Sequence, residues 1–227
     1  MCTVSWLHQP DGYHLLCNRD EKRTRGVAVG PRAAARDGVR YLAPTDFDHR
    51  GTWLAVNEYG LSVCLLNGPA PAKPPARSRG LLVADLIHAR DLDHAATLVQ
   101  RADLTRYAPC TLLFVQPQRS ALIAHWDGSR TGFLPHGEAH MPLTSSSVDP
   151  ERARRARVRE FRLRPRTAPA DLYDFHASRT ACIQRPDAGT VSFSWITVRG
   201  NSVRFFYSPA APCQWAPGEQ VTLPRAA

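Results

Sequence analysis

The first two apolar-rich runs, Thr3–His8 and Tyr13–Asn18, flank Gln9-Pro10-Asp11-Gly12. Turn residues between such runs predict a β-hairpin. Trp53–Val56 and Leu61–Asn67 flank Asn57-Glu58-Tyr59-Gly60 and predict a second hairpin by the same logic. The proline-rich stretch 68–79 then predicts a loop. Leu81, Leu82, Leu86 and Ile87 form one helical stripe, and Leu92, Ala95, Ala96 and Val99 form another. Thr111–Gln116, Ser120–Trp126 and Thr131–Leu134 read as a strand meander, with Asp127-Gly128 as one turn. Pro150–Arg162 is expected to be helical, with Asp149 as cap and Pro150 as first residue. A short helix is expected over Pro169–Ala177, and strands return at Thr180–Gln184, Thr190–Val198 and Val203–Tyr207.

Strands, two helices, strands, a helix and strands again fit an α+β fold in which two antiparallel sheets pack together with helices outside. No repeat or boundary interrupts the 227 residues, so one domain over 1–227 is expected. No apolar run reaches the roughly 18 residues that a membrane span needs. The start MCTVSWLHQPDG lacks a basic and then apolar signal pattern, which makes a soluble cytoplasmic protein the expectation. The formal charge is +9, and Lys22 and Lys73 are the only lysines. A GC-rich coding sequence explains that arginine bias as well as an anionic partner does. The six cysteines form no CxxC pair, so neither a zinc ribbon nor a disulfide framework is expected. Cys17, Cys64, Cys110 and Cys182 read as small core residues.

Cys2 differs because of where it stands. Methionine is usually removed before a small residue, which would leave Cys2 with a free α-amine beside its thiol. The amine has a reference pKa of about 8 and the thiol about 8.5, so the amine can accept the thiol proton. One residue then supplies both nucleophile and base. Asn18-Arg19-Asp20-Glu21 ends the second strand, and the first hairpin returns it beside Cys2. A guanidinium there favours a thiolate, and a carboxylate can orient an α-ammonium. Asn67 ends the strand Leu61–Leu66 and can donate its amide to an oxyanion.

These residues carry a resemblance. MCTVSW, Asn18-Arg19-Asp20-Glu21, Gly51-Thr52-Trp53-Leu54 and the hairpin from Val56-Asn57-Glu58-Tyr59-Gly60-Leu61 to Leu66-Asn67 resemble the NRDE family, the group of transport and Golgi organisation protein 2. The Met-Cys start, the Arg/Asp segment and the second hairpin are also similar to cholylglycine hydrolases and penicillin V acylases, which are N-terminal-nucleophile (Ntn) hydrolases. The matching is specific over residues 2–67. The resemblance implies a four-layer αββα sandwich of two antiparallel sheets. It also implies a cysteine amidohydrolase cleaving a non-peptide amide C–N bond, or an acyltransferase working through a Cys2 thioester.

By the same resemblance Cys2 is the nucleophile, Arg19 the arginine beside the thiol, and Asp20 the carboxylate that positions the α-amine. Arg19 and Asp20 are adjacent here, whereas the acylases separate theirs by two residues, so Glu21 is the alternative carboxylate. Asn67 matches the oxyanion-hole asparagine. Leu143-Thr144-Ser145-Ser146 resembles the acylases' Leu-Thr-Asn segment, with Ser145 in place of a second active-site asparagine. Ser145, Trp53 and Asn18 are expected on the substrate side. The acylases' late arginine has no clear match, with Arg152, Arg155 and Arg179 all candidates. The resemblance implies a small-molecule amide or acyl substrate and no cofactor, and it leaves the substrate and the oligomeric state open. It also implies a second reading, a binding or trafficking protein that handles haem, lipid or acyl-CoA. Ser145 favours that reading, and the retained Cys2, Arg19 and Asp20 oppose it.

Three further features carry less. His136, Glu138 and His140 alternate as metal ligands in a strand would, but Pro135, Gly137 and Pro142 make the segment loop-like, so no metal site is expected. His176, near a helix end, reads as a satisfied interior or surface histidine, with a place in a pocket as the alternative. Arg152, Arg155, Arg159 and Arg162 share one helical face. With Ala153, Ala156 and Phe161 on another side, this reads as a solvated amphipathic helix and not as a nucleic-acid site.

Overall fold

The computed structural model describes residues 2–71, 74–146, 148–214 and 216–226. The chain begins with strands β1 (Cys2–Gln9), β2 (Gly12–Lys22), β3 (Val29–Arg36), β4 (Val39–Thr45), β5 (Leu54–Asn57) and β6 (Ser62–Asn67). Helices α1 (Arg79–Leu86) and α2 (Leu92–Arg101) follow, then β7 (Cys110–Gln116), β8 (Arg119–Trp126), β9 (Thr131–Leu134) and a short β10 (Leu143–Thr144). Helices α3 (Pro150–Arg162) and α4 (Pro169–His176) precede β11 (Ala188–Arg199), β12 (Ser202–Ser208) and β13 (Glu219–Pro224). One sheet has the order β10-β1-β2-β11-β12-β13 and the other β3-β4-β5-β6-β7-β8-β9, and every pairing is antiparallel.

Alternation along the strands sorts side chains between layers. Val4, Trp6, Leu15 and Cys17 point from one sheet toward Leu54, Val56, Cys64 and Leu113 of the other, and together they form the central core. On the outer face of the seven-stranded sheet, Val63, Leu65 and Phe114 pack against Leu82, Leu86, Ala95 and Val99 of α1 and α2. On the outer face of the six-stranded sheet, Leu16 and Phe193 meet Leu172 of α4, beside a cluster of Phe161 and Phe175. The layers are therefore α-β-β-α. Tyr13 joins the two hairpins across the core: its hydroxyl donates to the Gly60 carbonyl at 2.9 Å and lies 2.6 Å from Ser62 Oγ. Gly60 holds φ +77° at that turn, which a side chain would resist. No described helix is long and apolar enough to cross a membrane.

Both expected hairpins, the meander and all four helices form. The cap of α3 forms as expected too, with the Asp149 side chain accepting from Arg152 N. Strands β3 and β4 lie in a stretch whose pattern predicts nothing. β3 carries Pro31 and three alanines and is a sheet edge, where the missing N–H of proline does no harm. The expected strand Thr180–Gln184 does not form; it contributes one isolated bridge, Gln184↔Gly189. Its carbonyls are used otherwise, with Thr180 O accepting from Arg157 and Ala181 O from Asn18. Cys182, read as a small core residue, is instead disulfide-bonded to Cys213, 31 residues on, with Cα atoms 6.3 Å apart. The loop after β12 folds back onto this turn, a proximity that local patterning does not reveal. Cys17, Cys64 and Cys110 are free and buried, as expected.

His176, the last residue of α4, is an interior histidine and fully buried. The Asn18 amide donates to His176 O at 2.9 Å and Ala181 O at 3.0 Å, which leaves its Oδ1 facing His176 Nδ1 at 3.0 Å. Nδ1 must therefore donate, and in the neutral ring Nε2 accepts from the Ser5 hydroxyl at 2.9 Å. Burial, helped by Arg157, lowers the His176 pKa to about 3. Unfolded chains protonate this ring near 6.5 while the native state stays neutral, so stability falls as pH drops from 6.5 toward 3. Chemical denaturation is expected to register up to about 1.4 kcal/mol of this per pH unit, and His176→Gln to flatten that slope. Asn18→Ala strands two buried carbonyls and should cost about 1–3 kcal/mol in the same measurement at neutral pH.

Candidate active site

Cys2 opens β1, opposite Arg19 on β2 and beside the end of β10. On that side it meets Ser145 through main chain and side chain: Ser145 N donates to Cys2 O at 2.9 Å, and Cys2 N donates to Ser145 Oγ at 3.1 Å. The Cys2 side chain is only 4% exposed and lines a cavity of about 490 Å³ between the two sheets and the start of α1. Trp53, Asn67 and Arg79 line the same cavity. A hydrogen bond donated to Cys17, then burial, pushes the Cys2 thiol well above its ordinary range. The thiol is thus held protonated in the resting site.

Arg19 shares the Cys2 face of β2 and also lines the cavity. Its guanidinium stacks over the Trp53 ring at 4.4 Å and bonds Asp46 Oδ2 at 2.5 Å. Arg25 joins the same carboxylate at 3.1 Å. Burial opposes ionisation of Asp46, but Arg25 and Arg19 outweigh it and hold the carboxyl below its usual range. Arg19 thus lines the cavity beside Cys2 with its guanidinium paired to Asp46. Asp46 and Arg25 went unnoticed because they lie in the stretch whose pattern predicts no element.

Alternation along β2 turns Asp20 to the opposite face, toward α3, and returns Glu21 to the cavity wall. Asp20 is 1% exposed. Its Oδ2 accepts from Arg157 Nη2 at 3.1 Å and its Oδ1 from the Thr190 hydroxyl at 2.7 Å. Burial keeps the Asp20 carboxyl above its ordinary range despite those two partners. A register shift between Thr190 and Ser192 on β11 accommodates this carboxylate, as bulges commonly do beside functional sites. Along β2, Asp20 stands one residue beyond the Cys2–Arg19 pair, at the end from which the Cys2 nitrogen projects.

Arg157 is the residue that the arginine run concealed. It is 2% exposed, donates to Thr180 O at 3.2 Å and Ser145 O at 3.4 Å, and bonds Thr144 Oγ1. One guanidinium thus ties Asp20 to the Ser145 segment. The available signal was its spacing: Ala153, Arg157 and Phe161 are four apart and share a helical stripe, which places an arginine among apolar positions. The other arginines expected on the solvated face, Arg152, Arg155, Arg159 and Arg162, are exposed.

The fold brings Cys2, Arg19, Trp53 and Asn67 to one cavity. Ser145 lies at the Cys2 nitrogen. Asn18, expected on the substrate side, faces α4 with its amide fully engaged. Glu138 lies in a 3-10 turn and accepts from the Trp6 indole and Ala121 N. Among the described residues no cluster of histidine, cysteine and carboxylate side chains has a metal-binding arrangement.

A family model described as Transport and Golgi organisation 2 matches residues 1–149. No curated protein matches the chain in sequence. Among solved structures, penicillin V acylase from Agrobacterium tumefaciens is similar with a TM-score of 0.59 and 11% identity, over 92% of this chain and 83% of that one. A mutant of conjugated bile acid hydrolase from Clostridium perfringens gives 0.60 and 10%, over 97% and 92%. The N-acylethanolamine-hydrolyzing acid amidase ortholog of Caenorhabditis elegans gives 0.61 and 12%, over 85% and 92%. The fold is therefore that of the Ntn hydrolases.

Removing Arg157 takes from the buried Asp20 carboxylate the guanidinium it is paired with. Arg157→Met is expected to lower unfolding free energy by about 3–5 kcal/mol in denaturant titrations. Adding Asp20→Asn should recover part of that loss; simple additivity of the two changes would argue against the pairing.

Proposed function

The chain belongs to the Transport and Golgi organisation 2 family, and from that premise we propose that it is an Ntn-type cysteine amidohydrolase acting on a non-peptide amide. The observation that carries this reading is the placement of Cys2. It is the first residue of the first strand, with its thiol in a cavity shared with Asn67 and its nitrogen beside Ser145 and the Asp20 end of β2. The structural neighbours add support, since an acylase, a hydrolase and an amidase share the fold.

Met1 lies outside the described residues, and its removal is part of the proposal. The freed α-amine takes the thiol proton as sulfur attacks the amide carbonyl, so no standing thiolate is required. This suits a thiol whose burial and Cys17 contact favour the protonated form. The oxyanion accepts hydrogen bonds from the Asn67 amide and from main-chain N–H groups. Collapse breaks the C–N bond, and the α-ammonium returns its proton to the leaving amine. Water then hydrolyses the thioester; a second nucleophile in its place gives acyl transfer. Asp20, fixed by Arg157 and Thr190, anchors the α-ammonium with Ser145. Arg19 holds Trp53 and Asp46 as the wall of the cavity. A carrier role without turnover is the second reading, favoured by Ser145 standing where the acylases have asparagine.

The test is kinetic, on amides that the wild type cleaves. Cys2→Ala is expected to abolish turnover with an unchanged melting temperature. Asn67→Ala should lower kcat about 100- to 1,000-fold. Full activity in Cys2→Ala would remove the nucleophile assignment, and an unchanged kcat in Asn67→Ala the oxyanion assignment.

A further inference from the structure

Four arginines, Arg19, Arg25, Arg77 and Arg79, line the cavity against two carboxylates, Glu21 and Asp46. Arg19 and Arg25 meet Asp46, and Arg77 meets Asp85 at 3.1 Å. Arg79 forms no salt bridge among the described residues. Its Nη1 donates to Pro109 O at 2.8 Å, and that carbonyl also accepts from Gly68 N at 2.9 Å. Gly68 follows Asn67, and Asn67 pairs with Cys110. The guanidinium is therefore pinned on the Asn67 wall of the cavity. Burial lowers the Arg79 pKa, and Cys110 and Glu21 offset this only in part.

Two other features add to this charge. Arg79 begins α1, where Ser78 occupies the cap position and its side chain makes no capping bond. A helix start carries partial positive charge. It is pressed against the cavity floor because Gly51 and Gly80 lack side chains: a Cβ on Gly51 would lie 2.5 Å from the Gly80 carbonyl carbon. The Trp53 indole N–H, on a residue only 6% exposed, has no acceptor among the described residues. A buried donor without an acceptor calls for one.

We propose that the cavity selects substrates bearing an anionic group, a carboxylate or a phosphate, with Arg79 as its anchor and the Trp53 N–H as a second donor. The inference rests on the amidohydrolase reading only in setting that group beside the amide attacked by Cys2. Guanidinium is suited to either oxyanion, because its planar fork bonds two oxygens at once. Arg79 is here a specificity residue, placed to read substrate charge.

The test compares three amides of one acyl chain: N-decanoylglycine, N-decanoyl-phosphoethanolamine and neutral N-decanoylethanolamine. Binding to the full chain carrying Cys2→Ala is measured by titration calorimetry. At least one anionic amide is expected to bind about 10- to 100-fold tighter than the neutral one, and the tighter anion identifies the chemistry read. Adding Arg79→Gln should erase the difference, and Arg79→Lys should keep part of it. Equal binding of all three, no binding of any, or a preference that survives Arg79→Gln overturns the anchor. Turnover by the wild type separates the two claims. Equal kcat/KM for neutral and anionic amides sinks the anchor and keeps the hydrolase. Arg79-dependent binding with no acyl group ever found on Cys2 keeps the anchor and sinks the hydrolase.

Discussion

The buried pair of Asp20 and Arg157 is the interaction on which the rest of the site depends. Neither charge touches solvent appreciably, and each removes the other's reason to leave the interior. Such a pair adds little net stability but is costly to break, so it specifies geometry more than it stabilises. Its reach is what matters here. Through Asp20 it fixes the end of β2, through Thr144 and Ser145 the strand beside Cys2, and through Thr180 the turn after α4. Three segments distant in sequence are held at the start of the chain.

The alternation of β2 then divides the labour. Arg19 and Glu21 face the cavity, while Asn18 and Asp20 face the helices. Four consecutive residues thus serve two layers, with Asn18 securing α4 and Asp20 engaging α3. Arg19, opposite Cys2 on the neighbouring strand, is paired with Asp46. In the proposed mechanism its place is structural, and the base is left to the residue's own amine. A protonated thiol in the resting state is what such a self-contained nucleophile needs, because the proton must have somewhere to go at the moment of attack.

Much of this was legible in the chain. The two hairpins, the helix start at Asp149-Pro150 and the return of Arg19 to Cys2 follow from turn chemistry and alternation. The meeting of Cys2 with Asn67 came from the family resemblance and not from the pattern. What escaped has a common cause. Arg157, Asp46 and the Cys182–Cys213 bond all depend on contacts between segments far apart, which periodicity does not encode. Arg157 also hid among seven other arginines between residues 152 and 166, where only its spacing from Ala153 and Phe161 set it apart. Asn18 was misjudged for a related reason. Its neighbours Arg19 and Glu21 reach the cavity, but one step along a strand reverses the face.

The most direct measurement is intact-mass spectrometry of the purified chain, with peptide mapping after exposure to an acyl donor. The expected result is a mass corresponding to residues 2–227 and an acyl group on Cys2 that is absent from Cys2→Ala. Retention of Met1, or acylation that persists without the Cys2 thiol, would contradict the assignment of Cys2 as an N-terminal nucleophile.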